Sequence, residues 1–136
     1  MNIFNFLTLK HDTFYLDYKC TIRQALEKFD HYKFTTIPLI DKDGKYITTI
    51  SIGDILRYIK NVSKFDADAS ETVTLNKVEK YHPYKYLNSS SSLKEIYTLA
   101  LEQNFIPIVD DRKMFIGIIK RKDILRSIYK EYLDIE

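Results

Sequence analysis

The chain has 136 residues, 45% of them hydrophobic and 14% aromatic, with a formal net charge of +2. That is ample apolar material for a core, which excludes general disorder, and the length suits one compact domain or two half-domains that need each other. Charge is evenly spread, with ten Lys/Arg against nine Asp/Glu in residues 1–68 and eleven against ten in residues 69–136, so no basic tail or stripe points to a nucleic-acid partner.

The opening Met1–Leu7 lacks the positive region and small-residue cleavage site of a signal peptide. No apolar run approaches the roughly 18 residues of a membrane span. Cys20 is the single cysteine, which rules out a disulfide within the chain and favours a reducing setting. Its polar neighbours do not make a nucleophile's environment. A soluble, cytoplasmic protein with no membrane partner is expected.

In chain order, a short strand is expected at Thr13–Asp17. A helix follows from Thr21, where Ile22, Ala25, Leu26 and Phe29 recur at i, i+3, i+4 and i+7 as one apolar stripe. Ile37–Ile40 is a β-branched apolar run and reads as a buried strand. Asp43-Gly44 is a turn signal, and Tyr46–Ile50 makes the return strand. A second helix begins around Asp54, with Ile55, Tyr58 and Ile59 inward, and ends near Asn61. Val62–Glu71 is polar and without period, which suits a connector.

The order then repeats. Tyr84–Leu87 reads as a strand, and the serine run Ser89–Ser92 as a corner in which Ser92 and Glu95 form a capping box. A helix follows with Leu93, Ile96, Tyr97 and Ala100 inward. Ile106–Val109, a turn at Asp110–Lys113, Met114–Ile119 and a final helix to about Leu133 complete the chain. The repetition is literal: Ile37-Pro38-Leu39-Ile40-Asp41 returns as Ile106-Pro107-Ile108-Val109-Asp110, and Asp54-Ile55-Leu56-Arg57 as Asp123-Ile124-Leu125-Arg126, always 69 positions on. Upstream, Ile22 to Pro38 spans 16 positions but Leu93 to Pro107 only 14, so copy two has lost two residues, placed by the pattern at the helix-to-strand corner. A unit built twice usually buries the copies against each other and works at the seam.

Asp54 and Asp123 stand in the first turn of the second helix of each copy, where a carboxylate suits the positive helix end. Ser51-Ile52-Gly53-Asp54 is a capping box, so capping alone could explain Asp54. Lys120-Arg121-Lys122-Asp123 offers no such cap, and a carboxylate accepts well from the two hydroxyls of a ribose. Both roles stay open for the pair. Pro38 and Pro107 each remove a ladder donor at a strand start, leaving backbone near Ile37 and Ile106 for a planar base, or simply starting the strand. His11, His31 and His82 have no metal-like spacing. There is no phosphate-cradling glycine loop, nucleophile elbow or zinc-helix motif, so no catalytic activity is expected.

Two in-register copies of this pattern resemble the tandem CBS domain, also called a Bateman module, from about Asn5 to Tyr132. The resemblance implies an α/β (α+β) fold of two β-α-β-β-α repeats, at residues 5–64 and 72–133, packed sheet to sheet with pseudo-two-fold symmetry and two clefts between them. It implies an adenine nucleotide (AMP, ATP or cyclic di-AMP) as regulatory ligand, a homodimer, and an effector protein that receives the signal in trans. By position, Ser51 and Asp54 hold phosphate and ribose in one cleft, and Lys120 and Asp123 in the other, Lys120 standing where Ser or Thr is usual. Tyr15 and Leu16 with Ile37 and Pro38, and Tyr86 and Leu87 with Ile106 and Pro107, surround the bases. Lys120, Arg121 and Lys122 beside a helix start form an anion site. Where the family often carries a phosphate-reaching cation, this chain has Thr36 and Phe105. The alternative is an interaction or dimerisation module with degenerate, ligand-free clefts. Phe34-Thr35-Thr36-Ile37-Pro38, Asn104-Phe105-Ile106 and Phe115-x-Gly117-Ile118-x-x-Arg121 look most like small stand-alone CBS proteins of Gram-positive bacteria that bind cyclic di-AMP.

Overall fold

The computed structural model describes residues 3–133. It begins with a short strand that the periodicity does not disclose, β1 (Leu7–Leu9). The expected strand at Thr13–Asp17 is shorter, β2 (Leu16–Asp17). Helix α1 (Ile22–Tyr32) starts at a capping box: Gln24 N donates to Thr21 Oγ1 at 3.2 Å, and Thr21 N donates to Gln24 Oε1 at 2.9 Å. It stops where Lys33 turns left-handed at φ 59°. Next come β3 (Thr36–Ile40), β4 (Tyr46–Ser51) and α2 (Ile52–Asn61), then one helical turn, α3 (Ala69–Thr72), inside the connector region.

In the second copy, β5 (Leu87–Asn88) replaces the expected Tyr84–Leu87. Helix α4 (Leu93–Ala100) is entered through the forward half of the expected box, Glu95 N donating to Ser92 Oγ at 3.2 Å. β6 (Phe105–Val109), β7 (Phe115–Lys120) and α5 (Arg121–Ile128) follow, and a wider π turn carries the last helix on to Leu133. The two missing residues come out of a helix rather than the corner. Helix α4 has 8 residues where α1 has 11, while the corner after it, residues 101–104, is one longer than residues 33–35.

These elements form two compact units that cut across the copies. The continuous unit is Phe14–Pro83; the split unit joins the N-terminal segment through Thr13 to the chain from Tyr84 onward. The continuous unit has a three-stranded sheet in the order β2-β3-β4, with β2 parallel and β4 antiparallel to β3. Its core includes Ile22, Ala25 and Phe29 from α1, Ile37 and Leu39 from β3, and Ile55 from α2. Leu75 and Val78 complete it, although both fall in the range 72–133 expected of the second repeat. They reach it because the chain after α3 crosses the entrance of α1, where Ile22 N donates to Val73 O and Leu75 N to Cys20 O.

The split unit has a four-stranded sheet, β1-β7-β6-β5. Ile3 and Phe6 from the N-terminal segment join Ile96, Ala100, Ile106, Ile108, Ile119 and Ile124 in its core. Tyr97, expected inward, is 38% exposed; the shortened α4 buries only Ile96 and Ala100 fully. The fourth strand depends on one glycine. Strand β1 lies antiparallel to β7 with Leu9 opposite Gly117, and a Cβ on Gly117, which has φ +155°, would stand 2.1 Å from Thr8 O. The equivalent position in copy one is Thr48, on β4 at the edge of its sheet.

The hairpin turns are built identically. Asp41 Oδ1 accepts from Asp43 N and Lys45 N at 2.9 Å each, and Asp110 Oδ1 from Arg112 N and Met114 N at 2.9 Å each. The aspartate closing each repeated motif is therefore a turn former. Gly44 supplies the left-handed position in the first turn at φ 90°; Lys113 must adopt it in the second at φ 65°.

Candidate functional site

The local rules that start α2 and α5 are the same, but the surroundings of their first-turn aspartates are not. Asp54 is buried, 3% exposed. Its Oδ2 accepts from Ser51 N at 2.9 Å, while Asp54 N donates to Ser51 Oγ at 3.1 Å, closing the capping box. Its Oδ1 accepts from Tyr81 N at 3.1 Å and lies 3.6 Å from Arg57 Nη1. That guanidinium sits 4.6 Å from the centre of the Tyr81 ring. Both carboxylate oxygens thus carry protein donors. Lys80, next in chain, donates from Nζ to Leu75 O at 2.5 Å. Burial lowers its ammonium below the ordinary lysine range, and the Asp54 charge opposes that shift. Tyr81's phenol is raised, chiefly by its hydrogen bond to Glu79.

Asp123 has the same neighbour three residues on, Arg126, with Nη1 at 3.7 Å from Oδ1. Its side chain is 29% exposed, and Lys120, its N-cap, makes no side-chain capping bond. Within the split unit Asp123 borders a groove of about 620 Å³ between the last helix and the N-terminal segment. Arg126, Ser127, Lys130 and Glu131 line the helix side, and Asn5–Thr8 the other wall. Residues 123, 126, 127 and 130 follow the i, i+3, i+4, i+7 rhythm of one helix face. That rhythm was available in the sequence as the signal for Arg126 and Lys130, which residue-type reasoning passed over for the adjacent Lys120–Lys122.

The other expected site residues fall as follows. Leu16, Ile37 and Pro38 are buried in the continuous unit, and Phe105, Ile106 and Pro107 in the split unit. Strands β3 and β6 are central in their sheets rather than edges, but β2 pairs only with Leu39 and Ile40, and β5 only with Ile108 and Val109. Ile37 and Ile106 therefore lie beyond the reach of these neighbours, as the prolines suggested. Thr36 and Leu87 are half-buried, and Tyr15 and Tyr86 are 36% and 42% exposed. Lys113 Nζ sits 5.5 Å from the Tyr86 ring centre.

The three cations differ in their surroundings. Arg121 Nε donates to Ala100 O at 2.7 Å and ties the start of α5 to the end of α4; Lys122 is exposed. Gln103 is a structural residue that sequence reasoning missed. It is 6% exposed, accepts from Lys85 N at 2.7 Å, and donates to Lys85 O at 3.0 Å and Phe105 O at 3.1 Å. Its demand is met within the fold. Among the described residues no cluster of His, Cys, Asp and Glu could hold a metal ion, and no helix is long and apolar enough to cross a membrane.

This fold, with a Ser/Lys-x-x-Asp helix start in each copy, defines a class of duplicated α/β modules, and the comparisons with known proteins say which. The CBS domain family model matches residues 7–61 and 78–130. The chain belongs to the CBS domain family and carries two such domains. Over 112 residues it is 30% identical to "Uncharacterized protein MJ1232" of Methanocaldococcus jannaschii, covering 80% of this chain and 34% of that protein; the chain thus spans about a third of that relative. Among solved structures it is similar to CbpB in complex with c-di-AMP, with a TM-score of 0.87 and 25% identity over 98% of this chain and 88% of that one. It is also similar to CbpB from Streptococcus agalactiae, with a TM-score of 0.81 and 25% identity over 98% and 85% of the two chains. The mixed α/β architecture matches these CBS-pair structures, as the sequence led us to expect.

Proposed function

We propose that this chain is a non-catalytic regulatory module that binds an adenine nucleotide at Asp123. The observation that supports it is the asymmetry of the aspartates: Asp54 is closed in by three protein groups, while Asp123 is part-exposed on a groove of about 620 Å³. The Asp123 carboxylate accepts from the ribose hydroxyls, and Arg126 and Lys130, on the same helix face, attract the phosphates. Cyclic di-AMP is the favoured ligand because the similar CbpB structure holds it. The second copy of the chain covers the apolar stripe Leu125, Ile128, Tyr129 and Tyr132 of the last helix, 57%, 37%, 55% and 68% exposed. Ligand occupancy biases that dimer, or its effector protein in trans, through differential affinity for its two states.

Calorimetry with cyclic di-AMP, AMP and ATP tests the reading. Asp123→Ala is expected to weaken binding of the preferred nucleotide about 10- to 100-fold, the loss of roughly 1.5–3 kcal/mol for a charged acceptor. Equal binding by the variant would remove the ribose assignment. A second reading, a dimerisation module with ligand-free clefts, draws on the same exposed stripe together with Thr36 and Phe105. It predicts no thermal shift with any of the three nucleotides, whereas a true ligand at 100 times its dissociation constant adds about 2.7 kcal/mol.

A further inference from the structure

We propose that the segment following Val78 is a latch that closes the copy-one site, so that this chain offers one nucleotide site rather than two until Tyr81 is released. The inference rests on the nucleotide reading above. Three contacts carry it, all inside the continuous unit. Tyr81 N occupies Asp54 Oδ1 at 3.1 Å. Arg57, the counterpart of Arg126, lies against the Tyr81 ring at 4.6 Å instead of facing solvent alone. Lys80 is held by Leu75 O at 2.5 Å, which anchors the segment beside the carboxylate through a residue of the core.

A ribose would need the acceptor atoms that Tyr81 N and Ser51 N now use, and a phosphate would need the guanidinium that now faces the Tyr81 ring. The segment thus takes one of the two carboxylate oxygens and packs a ring against the guanidinium. Only the Tyr81 contact is removable without unfolding the helix start, because the Ser51–Asp54 box belongs to α2 itself. The latch segment is tethered: the same chain leads from Val78 in the core to Pro83 at the end of the unit, so its effective concentration at Asp54 is high and a free nucleotide competes poorly. Displacing it leaves Asp54 as an acceptor at a helix start beside Arg57, the combination found open at Asp123.

Calorimetric stoichiometry with cyclic di-AMP or AMP, whichever binds the unaltered chain, is the test. The unaltered chain is expected to bind one nucleotide per chain. Tyr81→Pro, which deletes the amide donor and the phenol ring, is expected to raise this to two, and Tyr81→Ala, which frees Arg57 but keeps the amide, to add a weaker second site. Adding Asp54→Ala to either variant should abolish the second site alone. The latch is overturned by two sites in the unaltered chain, or by one site in both Tyr81 variants when thermal melts show them folded. Amide hydrogen exchange reads the latch without any ligand. Tyr81 N–H is expected to exchange at least tenfold more slowly than an unbonded amide, and exchange at the unbonded rate would overturn it. Failure of every nucleotide to bind would strike the proposed function, and the exchange result would then decide the latch by itself.

Discussion

The two units present one experiment performed twice. Each starts its second helix on an aspartate with an arginine three residues later, at 3.6 Å in one and 3.7 Å in the other. In the continuous unit the following chain folds back and seals that aspartate with Tyr81. In the split unit the neighbouring segment is the chain's own beginning, Asn5–Thr8, which forms one wall of a groove and leaves Asp123 partly exposed. The sheets differ for the same reason: one keeps three strands, the other gains β1 over Gly117. A duplicated motif specifies helix starts and hairpins faithfully, but what lies beside it is set by the flanking chain, whose residues differ between the two copies.

The strongest way to break this comparison is to make β7 resemble β4. Gly117→Val should expel β1 from the split unit at a cost of roughly 2–6 kcal/mol, an overpacking and a backbone-strain cost of about 1–3 kcal/mol each. Thr48→Val, at the matching position, should change stability by about 0.5 kcal/mol or less. Denaturant melts read both, and similar costs would refute the special role of Gly117.

The aspartates should separate stability from binding. Asp54→Ala removes a cap and leaves Tyr81 N without its acceptor, so about 1–3 kcal/mol of stability should be lost. Asp123→Ala, part-exposed and without a reciprocal cap, should cost about 0.5 kcal/mol or less, its effect appearing in nucleotide affinity instead. Equal destabilisation by the two would show that their surroundings do not matter.

A smaller effect is expected at the hairpins. Lys113→Gly relieves the left-handed residue that Gly44 already avoids and should stabilise the split unit by about 0.5–1 kcal/mol. An unchanged melting temperature would mean that Lys113 is not strained there.

The smallest effect concerns Cys20 in the continuous unit. Burial, the largest cause, raises its thiol above the ordinary value of 9.0. The native state then holds its proton where the unfolded chain has lost it, so stability falls as pH rises from about 9 through the folded value. Alkylation of the native chain should accordingly keep accelerating at pH values where a free thiol has levelled off. A profile that plateaus with a free thiol would contradict this.

Much was legible beforehand. The i, i+3, i+4, i+7 stripe marked Ile22, Ala25 and Phe29 as core, and the 69-residue repeat placed both hairpins and both helix starts in register. The capping box at Ser51 and the short pairing beside Pro38 and Pro107 follow from side-chain chemistry within a few residues. Less legible were Leu75 and Val78, whose place in the first copy's core no periodicity announces, and Tyr97, whose outward turn depends on how short α4 is. Gln103 carries no sequence signal, because two of its three bonds go to the backbone of Lys85, which only folding brings near.

The amino-acid order by itself therefore determined the duplication, the class of fold and the local geometry of each helix start, since caps, turns and apolar stripes act over at most a few positions. Which aspartate stays open was decided by tertiary structure alone. The donor that closes Asp54 arrives from Tyr81, 27 positions away, and the wall beside Asp123 from the other end of the chain. Contacts of that range are set by how strands and connectors cross, and no local pattern encodes the crossing.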